Sequence, residues 1–260
     1  MKLIINSLKW TLLFIIPIMN PIYKLFPFIN NVHFRNEWII DKINNVNSWE
    51  SILDVWAWEC PYKRYCSHLR YVSQDFWEYD GKGDQIWLQT KDRDNTQLNI
   101  ISDILNIPVD DSSFDNIICT EVLEHVPYPD KSITEFARIL KKWWTLYVTS
   151  PFASQTHFAP YHFCTWFNIY WYEKILLDNW FTIVDFQRNG NYFQYVLVEL
   201  LRFPKMIYIY SHLKIVGLIL MIMWYIFVLP LFIFFYIFSL FTRDSETQLC
   251  FWYHITAKKN

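Results

Sequence analysis

Short apolar runs alternate with amphipathic segments through the middle of this chain, which restricts it to a sheet flanked by helices. Residues 51–55 (SILDV) form one such run, closing on an acidic residue and a turn, as a buried parallel strand does. Comparable runs follow at 71–75, 97–102, 114–120, 145–149 and 181–186, with helical patterns at 37–46, 60–69, 127–140 and 168–179. The order predicts an α/β chain doubly wound about a parallel sheet. Such sheets bind ligands outside the carboxyl ends of their strands. The segment Asp54-Val-Trp56-Ala-Trp58-Glu-Cys60 follows the first strand, where this architecture places a glycine turn, yet the two key places hold tryptophan, which tolerates positive φ poorly.

Of 260 residues, 53% are hydrophobic and 20% aromatic, enough for one packed domain with or without a membrane-seeking appendage. Disordered and collagen-like chains are excluded. A net charge of −2 leaves no basic footprint, so no nucleic-acid partner is expected. The five cysteines (60, 66, 119, 164 and 250) are odd in number and include no C-x-x-C pair, which argues against a disulfide framework and a zinc ribbon and suits a reducing cytoplasm.

Read with glycine at 56 and 58, ILDVGAGECPY resembles motif I of the class I S-adenosylmethionine (SAM) dependent methyltransferases, of the type 11 kind. Four further stretches carry the likeness in the same order. ISDILNIPVDDSSFD (101–115) resembles the family's D-x-x-x-L-P segment and fourth strand. CTEVLEHVPYPDKSITEFARILKKWWTLYVTSPF (119–152) resembles its E-V-L-E-H-V block. HFCTWFNIYWYEKILLDNWFTIVDF (162–186) resembles the helix and strand that follow, and LCFWYHITAKK (249–259) its closing strand. The resemblance spans about 48–190 and 248–258. It implies a Rossmann-like, doubly wound seven-stranded sheet, into which this chain places a hydrophobic helical insertion before the last strand.

Trp56, Trp58, Trp143, Trp144 and Trp180 stand where that family has glycine, and Trp49, Trp77, Trp87, Trp166 and Trp252 lie at loop-like positions. The chain has 4 Gly against 14 Trp, where average usage predicts roughly 18 Gly. Independent decay would scatter replacements among Ala, Ser, Asp and Asn. Replacement by one residue only points to UGA codons that the source reads as glycine, translated here as tryptophan. Ten conversions would bring glycine to about 14, near the average expectation. Trp171, inside an aromatic helical stretch, reads as genuine.

The resemblance implies SAM as cofactor, with Asp54, Trp56 and Trp58 in its loop, Asp75 accepting from both ribose hydroxyls, Asp103 and Ile104 at the adenine edge, and Glu121 at the pocket mouth. Asp54 equally suits a turn-capping role, and Asp75 an ordinary strand end. A dinucleotide fingerprint needs a third glycine where Pro61 stands; proline lacks the N–H that cradles phosphate, which favours SAM over NAD. His157 and His162, after the fifth strand, are the catalytic candidates, needed as a base only for a hydroxyl or protonated amine acceptor. With Cys164 they form H-x4-H-x-C without an evident fourth ligand, so no metal centre is expected. Glu124 and His125 suit a helix start or packing as well as catalysis.

Residues 215–241 are 27 consecutive uncharged residues, the length of a spanning helix. In the family that the chain resembles, the last strand pairs antiparallel in the same sheet as the sixth, so an odd number of crossings is excluded if that strand docks. Pro230 splits the run, which predicts a helical hairpin dipping into one leaflet. Lys205, Lys214 and Arg243 flank it, as expected if both ends face the cytoplasm. The expected organisation is a possible interfacial segment at 1–36, a core at 37–190, the insertion at 191–247 and the last strand at 248–260. The chain thus reads as a membrane-associated methyltransferase, its catalytic domain cytoplasmic, acting on a small-molecule, glycan or lipid-linked acceptor. The alternative, supported if Trp56 and Trp58 are genuine, is a non-catalytic membrane-bound protein that retains the fold.

Overall fold

The computed structural model describes residues 31–76 and 98–260; of the interfacial segment expected at 1–36, residues 1–30 lie outside them and 31–36 open a helix, Asn31–Asn44, and Trp77 and Trp87 also lie outside. The described residues divide between one unit of 35–189 with 249–260 and a second containing 190–248.

The first unit is a seven-stranded sheet in the order β3-β2-β1-β4-β5-β7-β6. Its strands are β1 (Ser51–Val55), β2 (Arg70–Asp75), β3 (Ile100–Ile101), β4 (Phe114–Thr120), β5 (Leu140–Pro151), β6 (Phe181–Asn189) and β7 (Trp252–Lys259). The first five run parallel, and β7 inserts antiparallel between β5 and β6. Period-two alternation distributes β1 between two cores. Leu53 and Val55 join Ile117, Cys119, Phe136 and Val148 in one, while Ile52 joins Ile118 and Tyr147 in the other. That second core is closed by Trp38, Ile39 and Ile43 of helix α1 (Asn31–Asn44). Helices α2 (Pro129–Ile139) and α3 (Ile169–Asp178) supply Ile133, Phe136, Tyr172 and Leu176 to the first core.

Two sequence expectations shrink. The helix expected over 60–69 is only a short 3-10 turn at Lys63–Tyr65, since Pro61 and the run of Tyr, Cys, Ser and His favour helix weakly. The third strand is two residues long, because the Asn99 side chain accepts from the Ser73 amide and hydroxyl at 2.9 and 3.0 Å and takes a place in the ladder. The fifth strand instead lengthens, beginning at Leu140, with its register against β4 broken between Phe114 and Asn116.

In the second unit, α4 (Tyr192–Tyr210) and α5 (Lys214–Phe241) pack through Leu197 and Phe232. The Asn191 side chain donates to the Ser239 carbonyl at 2.9 Å and Trp224 Nε1 to the Leu200 carbonyl at 3.0 Å, which fixes the pair as antiparallel. The hairpin is therefore made between α4 and α5. At Pro230 the chain bends by 47° rather than reversing, since proline removes one helical hydrogen bond but leaves the helix path open. Among the described residues no single helix is long and apolar enough to cross a membrane, whereas Lys214–Val228 and Pro230–Phe241 satisfy that test together.

Candidate active site

Register brings the carboxyl ends of five strands level: Val55 pairs with Gln74 and Cys119, Asp75 with Ile101, and Thr120 with Thr149. The turn after β1 rests on this edge. Ala57 N donates to the Gln74 carbonyl at 2.9 Å, Trp58 N to Asp75 Oδ2 at 2.7 Å, and Trp56 N to Gln74 Oε1 at 3.4 Å. The second Asp75 oxygen accepts from Phe76 N at 2.6 Å. Asp75 is fully buried, so its carboxylate is held by backbone amides at the end of the strand.

The turn has left-handed backbone at both tryptophans, φ 53° at Trp56 and 49° at Trp58. Trp49 (73°), Trp143 (73°) and Trp180 (65°) share that conformation. Five of the nine described non-glycine residues with positive φ are thus tryptophan, although such conformations favour Gly, Asn and Asp. Trp180 follows α3 at the position where a left-handed residue ends a helix, and its amide donates to the Leu177 carbonyl at 3.1 Å. Trp49, Trp143 and Trp180 are 81%, 66% and 74% exposed, against the usual burial of indole. Trp144 departs from the expected glycine pattern: its φ is not positive, and it packs against the main core.

Side chains of the turn fill the space above the strands. The Trp56 ring lies 5.5 Å from that of His125 and 6.3 Å from Phe76, and Trp58 lies 6.0 Å from Phe158. Asp54 is buried behind them, accepting from Tyr71 Oη at 2.8 Å. Burial lifts its carboxyl to about 7, the Tyr71 hydrogen bond opposing and the Asp75 charge adding.

Glu121 follows β4 with φ 55°, its amide bonded to the Thr149 carbonyl. One carboxylate oxygen accepts from Thr149 Oγ1 at 3.0 Å; the other accepts from Trp252 Nε1 and faces Arg35 at 3.6 Å. Burial raises its carboxyl, with Arg35 acting against it. Asp103 stands apart from this group: it is exposed, and Oδ1 accepts from Leu105 N at 2.9 Å in a local turn. Ile104 is buried in the core.

The loop between β5 and α3 carries His157 and His162 to the same edge. It is pinned by amides of Phe163 and Cys164 donating to the Glu124 carbonyl at 2.8 and 3.1 Å. His125, at the end of the single turn Leu123–His125, meets both histidines, with ring centroids 4.6 Å from His157 and 5.7 Å from His162. Burial lowers all three imidazoles, His125 to about 3 and His162 to about 4. They are neutral at pH 7 and weak as bases. Sequence reasoning left His125 and Glu124 open between a helix start or packing role and catalysis; the signal that brings them in is their position directly after β4, at the edge where the ligand is expected.

A methyltransferase-domain family model matches residues 60–146. No curated protein matches the chain. Among solved structures, the YcgJ protein of Bacillus subtilis is similar at 13% identity and TM-score 0.51, covering 88% of this chain and 99% of that one. The [4+2]-cyclase SpnF is similar at 14% identity and TM-score 0.49 over 86% and 80%. A geranyl diphosphate methyltransferase solved with SAM is similar at 10% identity and TM-score 0.47 over 87% and 84%. A methyltransferase-domain model thus covers residues 60–146, about a third of the chain, and the strand order with the turn between β1 and Asp75 gives the core the fold of the class I, SAM-dependent methyltransferases.

Proposed function

We propose that this chain methylates a small-molecule, glycan or lipid-linked acceptor at a membrane surface, and that glycine occupies positions 49, 56, 58, 143 and 180 in its source. As written, the residues do not fit SAM, because the indoles of Trp56 and Trp58 take the space above β1 and β4. The backbone under them does fit. Left-handed φ at 56 and 58 is the observation that carries the reading, since it is the conformation that glycine adopts without cost and tryptophan does not. Each left-handed non-glycine residue costs about 1–2 kcal/mol. Five of them approach the whole net stability of a domain, about 5–15 kcal/mol. Glycine at these places removes both the strain and the obstruction.

SAM supplies an already activated methyl group when bound, so the protein's task is to hold and orient. Asp75 offers two acceptor oxygens at the end of β2, and the residue-58 amide that now bonds it sets the distance between turn and carboxylate. Glu121, braced by Thr149 and Trp252, lines the neighbouring strand end. The neutral His157 and His162 would accept a proton only from an acceptor whose acidity is raised.

The membrane reading rests on α5. Ile215, Ile226, Phe227 and Phe241 are among its many apolar side chains left exposed, and both ends of the insertion return to one sheet through β6 and β7. A cytoplasmic catalytic domain follows from the basic flanks, Lys214 and Arg243.

Peptide mass spectrometry of the protein from its source tests the reading at 49, 56, 58, 143 and 180, followed by SAM titration of that material. Glycine with saturable SAM binding is the expected result. Tryptophan at 56 and 58 overturns the enzymatic reading and leaves a non-catalytic protein of this fold.

A further inference from the structure

Three imidazoles from two separate segments converge at the strand edge. The ligand atoms of His125, His157 and His162 all lie within 4.8 Å of one another. Their tautomers follow from backbone carbonyls, which only accept. His125 Nδ1 lies 2.6 Å from the Tyr161 carbonyl oxygen and His157 Nδ1 2.8 Å from that of Gln155. Each Nδ1 therefore carries the hydrogen, and each Nε2 presents a lone pair. Metal-binding histidines are oriented in this way, with the outer nitrogen donating to a carbonyl or carboxylate.

Three of the remaining nitrogens lack partners. His125 Nε2 is buried without a hydrogen bond, as are both nitrogens of His162. Beside them Glu124 is fully buried, with Oε1 3.7 Å from His125 Nε2 and neither oxygen hydrogen-bonded except for a loose approach by its own amide. An unpaired buried polar atom costs about 1–3 kcal/mol. Several of them so close together make a costly arrangement for packing alone, and a cation bound among the three histidines would satisfy His125 Nε2 and one nitrogen of His162.

We propose that His125, His157 and His162 form a binding site for a divalent transition-metal ion of the zinc class, with the Glu124 carboxylate as the adjacent anionic group. Three neutral imidazoles and one carboxylate are a borderline-soft nitrogen and oxygen set, which suits zinc and cobalt rather than magnesium or calcium. Zn–N distances near 2.0–2.1 Å place tetrahedral ligand nitrogens roughly 3.3 Å apart. The ligand atoms, within 4.8 Å of one another, need to close by up to about 1.5 Å to reach that spacing. The Cys164 thiol, two residues beyond His162, is not needed. Binding rests on the histidines and Glu124, none of which belongs to the turn at 56–58, so it does not depend on methyl transfer.

The test uses the full chain, prepared once with tryptophan and once with glycine at 56 and 58, stripped with a chelator and titrated with Zn2+ and Co2+. One equivalent of zinc retained per chain after desalting is expected, with visible Co2+ bands of tetrahedral intensity. The double variant His157→Ala/His162→Ala should bind about 100-fold or more weakly, while Cys164→Ser and the surface control His212→Ala bind as the parent does. Circular dichroism establishes that each variant is folded, and Glu124→Gln provides a second, milder perturbation should the double variant unfold. Zinc well below one equivalent in the parent, or equal affinity in folded histidine or Glu124 variants, overturns the site.

Discussion

The backbone amide of Trp58 donates a 2.7 Å hydrogen bond to Oδ2 of Asp75, tying the turn after β1 to the last residue of β2. The same carboxylate accepts from Phe76 N through its other oxygen, so one buried side chain anchors two loops.

Asp75→Ala therefore removes two charge-assisted hydrogen bonds from buried backbone and should lower unfolding stability by about 2–4 kcal/mol, read from urea midpoints. In the chain with glycine at 56 and 58 it should also weaken SAM binding at least tenfold, by calorimetry. Asp103→Ala, which disturbs only an exposed turn, should leave stability within about 0.5 kcal/mol. Equal behaviour of the two variants would remove Asp75 from the binding site.

Backbone conformation separates misplaced tryptophans from genuine ones. Trp49→Gly, Trp143→Gly and Trp180→Gly relieve left-handed φ at exposed positions and should each stabilise the chain by about 1 kcal/mol. Trp171→Gly should instead cost about 3 kcal/mol or more, since that ring packs 4.9 Å from both Phe167 and Tyr172 on α3. Destabilisation by all four substitutions alike would defeat the glycine assignment.

Much of this architecture was legible because it depends on periodicity. The run SILDV had to be a buried strand, and the antiparallel β7 was placed by its resemblance to a closing strand. The glycine-like sites were legible at 56, 58, 143 and 180, where turn geometry is local, whereas at Trp144 the backbone gives no sign of glycine because its neighbour alone takes the left-handed conformation. The hairpin was misplaced to Pro230, since a proline in a long apolar run gives the same sequence signal whether the chain bends or reverses. The histidine cluster was hidden for a different reason: His125 lies 32 residues before His157 in sequence, and only the loop pinned on the Glu124 carbonyl closes that gap.

Two buried groups impose opposite pH slopes. Asp54 titrates near 7 when folded against 3.8 ordinarily, so the folded chain keeps a proton that the unfolded chain releases, and stability falls as pH rises from 3.8 to 7. His254 is pushed to about 4 from 6.5 by burial and by Arg35, so it resists a proton that the unfolded chain takes up, and stability falls as pH drops from 6.5 to 4. These amount to at most about 4.4 kcal/mol for Asp54 and about 3.4 kcal/mol for His254 across their windows. Asp54→Asn should make stability rise more steeply between pH 4 and 7, and His254→Asn should make it rise less. Urea midpoints measured at intervals of half a pH unit distinguish these outcomes, and variants parallel to the parent would show that neither group titrates as its burial dictates.

The proposed membrane attachment through the exposed apolar side of α5 can be tested separately from catalysis. Ile226 and Phe227 are 69% and 68% exposed near the bend. Burying each in lipid contributes about 1.5–3 kcal/mol, so Ile226→Lys/Phe227→Lys should reduce binding to phospholipid vesicles by about 100-fold or more in a sedimentation assay. Because β7 pairs with both β5 and β6, residues 100 and 258 belong to one sheet and must lie on the same side of any bilayer. Protease treatment of sealed vesicles should therefore cleave both or protect both. Unchanged sedimentation of the lysine variant would exclude α5 as the attachment, and protection of one site with cleavage of the other would contradict the sheet itself.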